Sequence, residues 1–422
     1  MNTKDLNLAT DITGFFDFTQ NDDARGALKK MLLTPLPNVD AVTARQQIFK
    51  GFLANMDKLA NYSYSKIDFR EVGNFLATYS DKHFLPKRLK TKLFFSKSRY
   101  SQYRGNCIQL VLLYHRLHNN FIKLIDTSAF PESYKADLRF INDYLTAFRT
   151  EYYEGLVREG SFGIKHIVDV IRTISAKKHN MDVETFREKF THFEAYLSAA
   201  QGMHRYKFSF PEVGGSGIAL RDFYHPLVHK PVKNSFETTT NVVLLTGPNM
   251  SGKSTLLKAI SLCVYLANIG FGVPATAARI PFYNDISVFI NLNDDLQSGY
   301  SHFMMEVLNL KSVAVAAHGG TKCFAVFDEL FRGTNIDDAL DISKTTLTGL
   351  LNFPDSLFFV SSHLHQLVET PAVKECKIAC YYLDCEISAG IPKFNYTLKP
   401  GWTQLKVGRL LFDKENLNHY LS

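Results

Sequence analysis

The stretch NVVLLTGPNMSGKSTLLKAISLCVYLANIG, residues 241–270, constrains the fold more than any other part of the chain. NVVLL is a short β-branched and apolar run suited to a buried strand, and STLLKAISLCVYLANIG has the length and apolar spacing of a helix. Between them lies the spacing G-x-x-x-x-G-K-S: Gly247, then Pro248, Asn249, Met250 and Ser251, then Gly252, Lys253 and Ser254, with Thr255 following. Glycines at both ends let successive backbone amides turn inward, where they cradle phosphate oxygens. The helix start adds free amides and a positive dipole. Lys253 would set a point charge on the β- and γ-phosphates, and the Ser254 hydroxyl would hold Mg²⁺. The bland alternative is a glycine-rich turn with no ligand, which would require neither the flanking strand nor the helix.

Such a loop belongs at the edge of a sheet, and the rest of the chain supplies one. Downstream, DISVFINL, KCFAVFDE and SLFFVSS read as strands and alternate with helical SHFMMEVLNLKSVAVAAH and DDALDISKTTLTGLL, an order that predicts a mostly parallel sheet covered by helices. CKIACYYLDCEI and PKFNYTL, on either side of SAGI, predict a closing antiparallel hairpin. Upstream, segments such as NCIQLVLLYHRLHNNFIKLI place apolar residues three and four apart. Near residue 206, KFSFPEVGGSGIAL brings alternation, Pro and paired Gly. The predicted class is α + α/β, with an all-helical domain over 1–205 and an α/β phosphate-loop domain over 206–422.

The strand KCFAVFDEL, 322–330, ends in Asp328 and Glu329, at the edge where an α/β sheet presents ligands. Asp328 would reach Mg²⁺ through water, and Glu329 would orient or deprotonate an attacking water. FFVSSHLHQL sets His363 at the end of another strand, poised for the γ-phosphate or that water, while His365 reads as an ordinary helix-start residue. Ser301 and Glu306 sit where NDDLQSGY enters a helix. A hydroxyl there suits a phosphate and serves equally as an N-cap.

Composition excludes several classes. At 422 residues and 45% hydrophobic, the chain fills the cores of two or three domains. The N-terminus has no basic segment leading into an apolar core, and no apolar run nears the roughly 20 residues of a membrane span. A cytoplasmic protein with no membrane partner is expected. Six cysteines are too few for a disulfide scaffold, and Cys376, Cys380 and Cys385 fit no zinc spacing. The formal charge of +7 permits a polyanionic partner without requiring one. Between Lys82 and Arg104, Lys87, Arg88, Lys90, Lys92, Lys97 and Arg99 interleave with Phe84, Phe94, Phe95, Tyr100 and Tyr103, with no acid. Two readings stand: a nucleic-acid backbone contact with some base stacking, or a solvated face whose aromatics turn into the core.

Taken together, these stretches resemble the ATPase domain of MutS, the DNA mismatch-repair family. TGPNMSGKST is close to the family's phosphate loop, with Ser251 where a second glycine is usual. FDELFRGTN resembles its acidic strand and the Arg332-Gly333-Thr334 turn, a dimer-contact and signalling element in the family. DDLQSGYSHFMMEV resembles the segment whose serine reaches the partner's nucleotide, so Ser301 takes that role, with His302 in place of threonine. ARGALKKMLLTPLPNVDAVTARQQIFKGFL looks like the start of the helical core domain and HFEAYLSAAQ like the returning lever helix. FYHPLV is similar to the entry to the ATPase domain, and FNYTLKPGWTQLKVGRLL to its closing hairpin and helix.

The resemblance implies an ABC-like ATPase that takes ATP and Mg²⁺, forms a homodimer on ATP binding, and acts on duplex, mismatched or branched DNA. Glu329, His363 and Ser301 would be its catalytic residues, and Lys87, Arg88, Lys90, Lys92, Lys97 and Arg99 its DNA contacts. The resemblance begins at the helical core, so the family's N-terminal mismatch-reading domain and its C-terminal dimerisation tail are expected to be absent. Val232 stands where the family often sets an aromatic against adenine, which leaves Tyr224 and Phe236 as substitutes. A second class remains open: the same ATPase acting on RNA or on a protein or ribonucleoprotein partner. A transporter ATPase is disfavoured because no LSGGQ-like segment occurs.

Overall fold

The computed structural model describes residues 1–78, 86–290, 301–331, 333–388, 391–403, 405, 407, 410, 412 and 420, the side chains of 78, 86–88, 388 and 391 excepted. Two compact units emerge: Phe15–Met31 with Gln47–Arg205, and Met1–Gly14 with Leu32–Gln46 and Tyr206–Ser422.

Helices make up the first half of the chain: α1 (Asp22–Leu33), α2 (Val39–Ala54), α3 (Met56–Leu59), α4 (Lys66–Thr78), α5 (Pro86–Phe95), α6 (Lys97–Asn120), α7 (Glu132–Ala147), α8 (Thr150–Arg158), α9 (Ile164–His179) and α10 (Asp182–Tyr206). The core of the helical unit is aromatic. The Phe52 ring meets those of Phe130, Tyr134 and Phe193 at 5.0, 5.8 and 5.3 Å, tilted or edge-on, as ring quadrupoles favour. Glu194 of α10 is buried in the same unit. It accepts hydrogen bonds from Tyr64 Oη at 2.6 Å, Tyr62 Oη at 3.3 Å, Asn21 Nδ2 at 3.0 Å, Asn21 N at 3.2 Å and Gln20 N.

The other unit contains β1 (Glu212–Val213), β2 (Ile218–Phe223), β3 (Asn234–Thr238), β4 (Val242–Thr246), α11 (Lys253–Asn268), β5 (Ala277–Ile280), β6 (Asp285–Phe289), α12 (His302–His318), β7 (Cys323–Phe327), α13 (Ile336–Leu350), β8 (Leu357–Ser361), α14 (Pro371–Lys374), β9 (Ala379–Ser388) and β10 (Ile391–Pro400). Six strands form one sheet in the order β10-β9-β4-β8-β7-β6. All neighbours pair in parallel except β9 and β10, the expected closing hairpin. Every residue of β4, β7 and β8 is buried, as helix-covered parallel strands require. α11 is buried from Leu256 to Asn268 save Lys258, which fixes the glycine loop between two immobile elements.

A second sheet, β1-β5-β2-β3, is not foreseen by the sequence reading. Its two shortest members explain why: β1 has 2 residues and β5 has 4, too short for alternation to register. Residues 1–14 and 32–46, which the helical reading of 1–205 takes with the first domain, group with the α/β part for specific reasons. Asn2 pairs with the edge of β6, its N donating to Ile286 O at 3.0 Å and its O accepting from Val288 N at 2.8 Å. Tyr265 Oη donates to Leu32 O at 2.9 Å, and Arg45 Nη1 to Ile269 O at 2.9 Å. Among the described residues, no helix is long and apolar enough to cross a membrane.

Candidate functional site

The parallel order of β4, β8 and β7 brings three polar chain segments to one edge of the large sheet, because parallel strands end on the same side. β4 runs into the loop 247–252, β7 into Asp328 and Glu329, and β8, seated between them, ends at Ser361, with Ser362 and His363 next.

The loop carries positive φ at Gly247 (145°) and Gly252 (94°), angles that glycine adopts readily. Met250, at φ 68°, is 69% exposed, and Asn249 is exposed beside it. Lys253 is buried, and its Nζ donates to Gly247 O at 2.9 Å and Pro248 O at 3.2 Å, so the ammonium sits in the concavity of the loop. Burial lowers its pKa, against the opposing pull of Glu329 and Asp328. Ser251 Oγ is buried there without a hydrogen-bond partner. A buried hydroxyl left unmatched costs free energy, and a phosphate oxygen in the concavity would satisfy it. Ser254 and Thr255 are exposed at the start of α11.

Across the site, Asp328 is held from two sides. Ser254 Oγ donates to its Oδ2 at 2.5 Å, and Ser361 Oγ donates to its Oδ1. Ser361 also accepts from Glu329 N at 2.8 Å, so one hydroxyl aligns both acids. His363 Nε2 lies 2.6 Å from Glu329 Oε1, and since a carboxylate only accepts, the imidazole donates. Glu329 and Phe331 have φ of 55° and 64°, left-handed angles that cost side-chain-bearing residues energy and that cluster at functional sites. Ser254 Oγ beside Asp328 Oδ2 offers the small set of hard oxygens with which Mg²⁺ is usually held while it keeps several waters. The orphaned Ser251 hydroxyl, the buried ammonium and this oxygen pair fit a Mg²⁺-bound polyphosphate.

Other expectations fare differently. Ser301 is the N-cap of α12, its Oγ accepting from Met304 N at 3.3 Å, and Glu306 is buried on that helix. Gly333 packs against the same helix start: a Cβ there would meet Phe303 at 3.1 Å. Arg332 and residues 291–300 lie outside the described residues, as do the side chains of Lys87 and Arg88. Lys90, Lys92, Lys97 and Arg99 are exposed. Phe94 and Phe95 are exposed as well and so do not turn into the core, whereas Leu89 and Leu93 do.

Of the two proposed substitutes for the adenine-side aromatic, Phe236 is buried and Tyr224 is half-buried. Phe236 is a core residue, its ring 5.3 Å from Phe359 and 5.0 Å from Tyr381. Tyr224 directs its hydroxyl to Tyr206 O at 3.4 Å and lies under Lys233 Nζ, 5.7 Å from the ring centre. The residue that does stand at the loop is Tyr396, half-exposed on β10, whose Cδ1 would lie 3.1 Å from a Cβ at Gly252. A bulge between Phe394 and Leu398, with φ 55° at Tyr396, aims it there. Asn234 fixes the bulge, donating to Tyr396 O at 3.0 Å and accepting from Leu398 N at 2.7 Å. Sequence reasoning missed Ser361 and Tyr396. The only signals for them were the SS pair before His363 and an aromatic in a strand pattern.

Comparison with known proteins adds the following. Residues 243–411 match the family model described as MutS domain V. The DNA mismatch repair protein MutS of Natronomonas pharaonis is 28% identical over 210 residues, 48% of this chain and 24% of that protein. The DNA mismatch repair protein MSH3 of Yarrowia lipolytica is 28% identical over 276 residues, 61% of this chain and 27% of its own length. MutS protein homolog 4 of Mus musculus is 27% identical over 336 residues, 78% of this chain, more than residues 206–422 can supply, so that likeness extends into the helical half. These matches span only 24% to 32% of the relatives' lengths.

Proposed function

We propose that this chain, whose residues 243–411 match the family model of MutS domain V, is a DNA-binding ATPase of the MutS family whose bound nucleotide switches a homodimeric clamp. The reading is carried by the meeting of Lys253, Ser254, Asp328, Ser361, Glu329 and His363 at one edge of a parallel sheet. Two of the relatives are DNA mismatch repair proteins, and the work of this chain is proposed there or in related DNA maintenance.

Each residue has a role that follows from its partners. Lys253 and the loop amides bind the β- and γ-phosphates. Ser254 Oγ and Asp328 would hold Mg²⁺, whose chemistry there would be charge neutralisation on the phosphates. Glu329 orients the attacking water and accepts its proton, with its carboxylate aimed by His363. Ser361 keeps Asp328 and Glu329 in fixed relative positions. Tyr396 covers the base side of the loop. The partner's Ser301 completes each site, so that ATP, by binding the closed pair better, draws two chains together.

The test is ATP-dependent binding of the full chain to matched, mismatched and branched duplexes, each at two salt concentrations, alongside Lys253→Ala. DNA affinity that changes with ATP in the native chain and is indifferent to ATP in the variant is the expected result. Failure to bind ATP, or DNA affinity blind to nucleotide, overturns the switch. ATP turnover stimulated by RNA or a protein, with no DNA bound, moves the same site to the second class of partner.

A further inference from the structure

We propose that the end of α5 and the first turn of α6 form a surface for a DNA strand with unpaired bases. The inference rests on the DNA-binding reading above and adds where the DNA is held and in what form.

α5 buries Leu89 and Leu93. At 100° per residue, that turns Phe94 and Phe95 toward the outer side, with Lys90 and Lys92 on its two flanks. Phe94 is 73% and Phe95 80% exposed, and the two rings meet edge to face at 5.2 Å. Lys90 stands four residues before Phe94 and Lys92 three before Phe95, the spacings at which helix side chains are neighbours. Past Ser96, whose Oγ caps α6 by accepting from Arg99 N, Lys97 and Arg99 are exposed in the next turn.

Single exposed apolar residues are ordinary on a protein surface, but two adjacent phenylalanines edged by cations are not. The cations are also misplaced for the helices themselves. Neither α5 nor α6 has an acid in its first turn, and Lys97 and Arg99 occupy the end of α6 where the dipole is already positive. No Asp or Glu occurs from residue 82 to residue 104 to offset them. A polyanion that also presents flat apolar faces answers both features at once. Fully paired DNA keeps its bases stacked inside and would engage only the cations. A gap, fork or single strand offers phosphates to Lys90, Lys97 and Arg99 and bases to Phe94 and Phe95.

The test compares the full chain with Phe94→Ala/Phe95→Ala and with Lys90→Gln/Lys97→Gln/Arg99→Gln by fluorescence anisotropy. The probes are a perfect duplex, the same duplex with a short single-stranded gap, and the gapped strand as RNA. The substituted side chains are exposed, and unchanged circular dichroism and melting temperature confirm folding. The expected result is that the aromatic variant loses about tenfold or more on the gapped probe and little on the duplex. The cation variant should weaken binding to both and flatten the salt dependence. Equal losses on duplex and gapped DNA, or none, overturn the inference while leaving the DNA-binding reading intact. Tighter binding to the RNA probe overturns the commitment to DNA. Binding of no DNA by the native chain is a different result: it removes the function reading itself.

Discussion

Two clusters of buried and half-buried carboxylates show how the same chemistry serves opposite ends. Glu194, in the helical unit, sits among Tyr62, Tyr64, Gln20 and Asn21, and every contact directs a donor at it. Asp328 and Glu329, at the sheet edge, also have partners, yet Glu329 holds a left-handed φ and the neighbouring loop leaves Ser251 Oγ unmatched. The first arrangement is complete in itself, and its product is rigidity. The second carries strain and an unmet hydrogen bond, which a ligand can relieve. A buried acid is therefore read from whether its surroundings are finished rather than from its burial.

Substitutions should separate the two cleanly. Glu329→Gln keeps the side-chain shape but removes the proposed base, and turnover should fall by about 10²- to 10⁴-fold with ATP still bound, as general-base loss commonly gives. Single-turnover hydrolysis and a nucleotide-binding titration check the two halves of that statement. Unchanged turnover would take Glu329 out of its role. Melting should hardly move, because Gln keeps the shape of a side chain that is only half-buried at the sheet edge.

Glu194→Ala should do the reverse. It strips the shared acceptor from two tyrosine hydroxyls, two backbone amides and the Asn21 side-chain amide, and leaving buried donors unmet costs about 1–3 kcal/mol each before water relieves some of them. A net loss of about 3–5 kcal/mol is expected, read by urea unfolding. A loss below about 1 kcal/mol would mean that water replaces the carboxylate and that the cluster is not the closed unit described here.

What could be read in advance follows the range over which each feature is written. The phosphate loop and the Asp328-Glu329 pair are contiguous, so their strand and helix contexts were visible from local pattern. The parallel sheet followed from the alternation of elements. Ser361 acquires its role only because β8 inserts between β4 and β7, a register no local window contains. Tyr396 is aimed by a bulge pinned by Asn234, 162 residues away in sequence. Glu194 reads as one more polar position on a helix, since its tyrosines lie 130 and 132 residues upstream. Phe94 and Phe95 were ambiguous because apolar rings are equally at home in a core, and only the depth of Leu89 and Leu93 decides which face they occupy.

Ser361→Ala probes whether one hydroxyl aligns both acids. Asp328 would lose one donor and Glu329 N its acceptor, while Ser254 still holds the other oxygen of Asp328. About a tenfold drop in turnover is expected, the worth of one hydrogen bond to a charged group at the lower end of its range. The drop should appear in kcat with nucleotide affinity nearly unchanged. An effect confined to affinity would place Ser361 with the binding groups instead.

The smallest effect lies in the pH dependence of stability. Burial raises the pKa of Glu194, and the hydrogen bonds from Tyr64, Gln20, Tyr62 and Asn21 oppose the rise without cancelling it. The folded chain therefore holds this proton to a higher pH than the unfolded chain, whose carboxyl titrates near about 4.3. Between that value and the raised one, the native state binds more protons, so stability from this site is fully present below the window and declines as pH rises through it. The slope is bounded by about 1.4 kcal/mol per pH unit for a single group. Glu194→Gln keeps an acceptor for the tyrosines and has nothing to titrate, so its unfolding free energy measured from pH 4 upward should decline less steeply than that of the native chain. Parallel curves would show that Glu194 titrates alike in both states, and that its donors, rather than its burial, set the balance at that site.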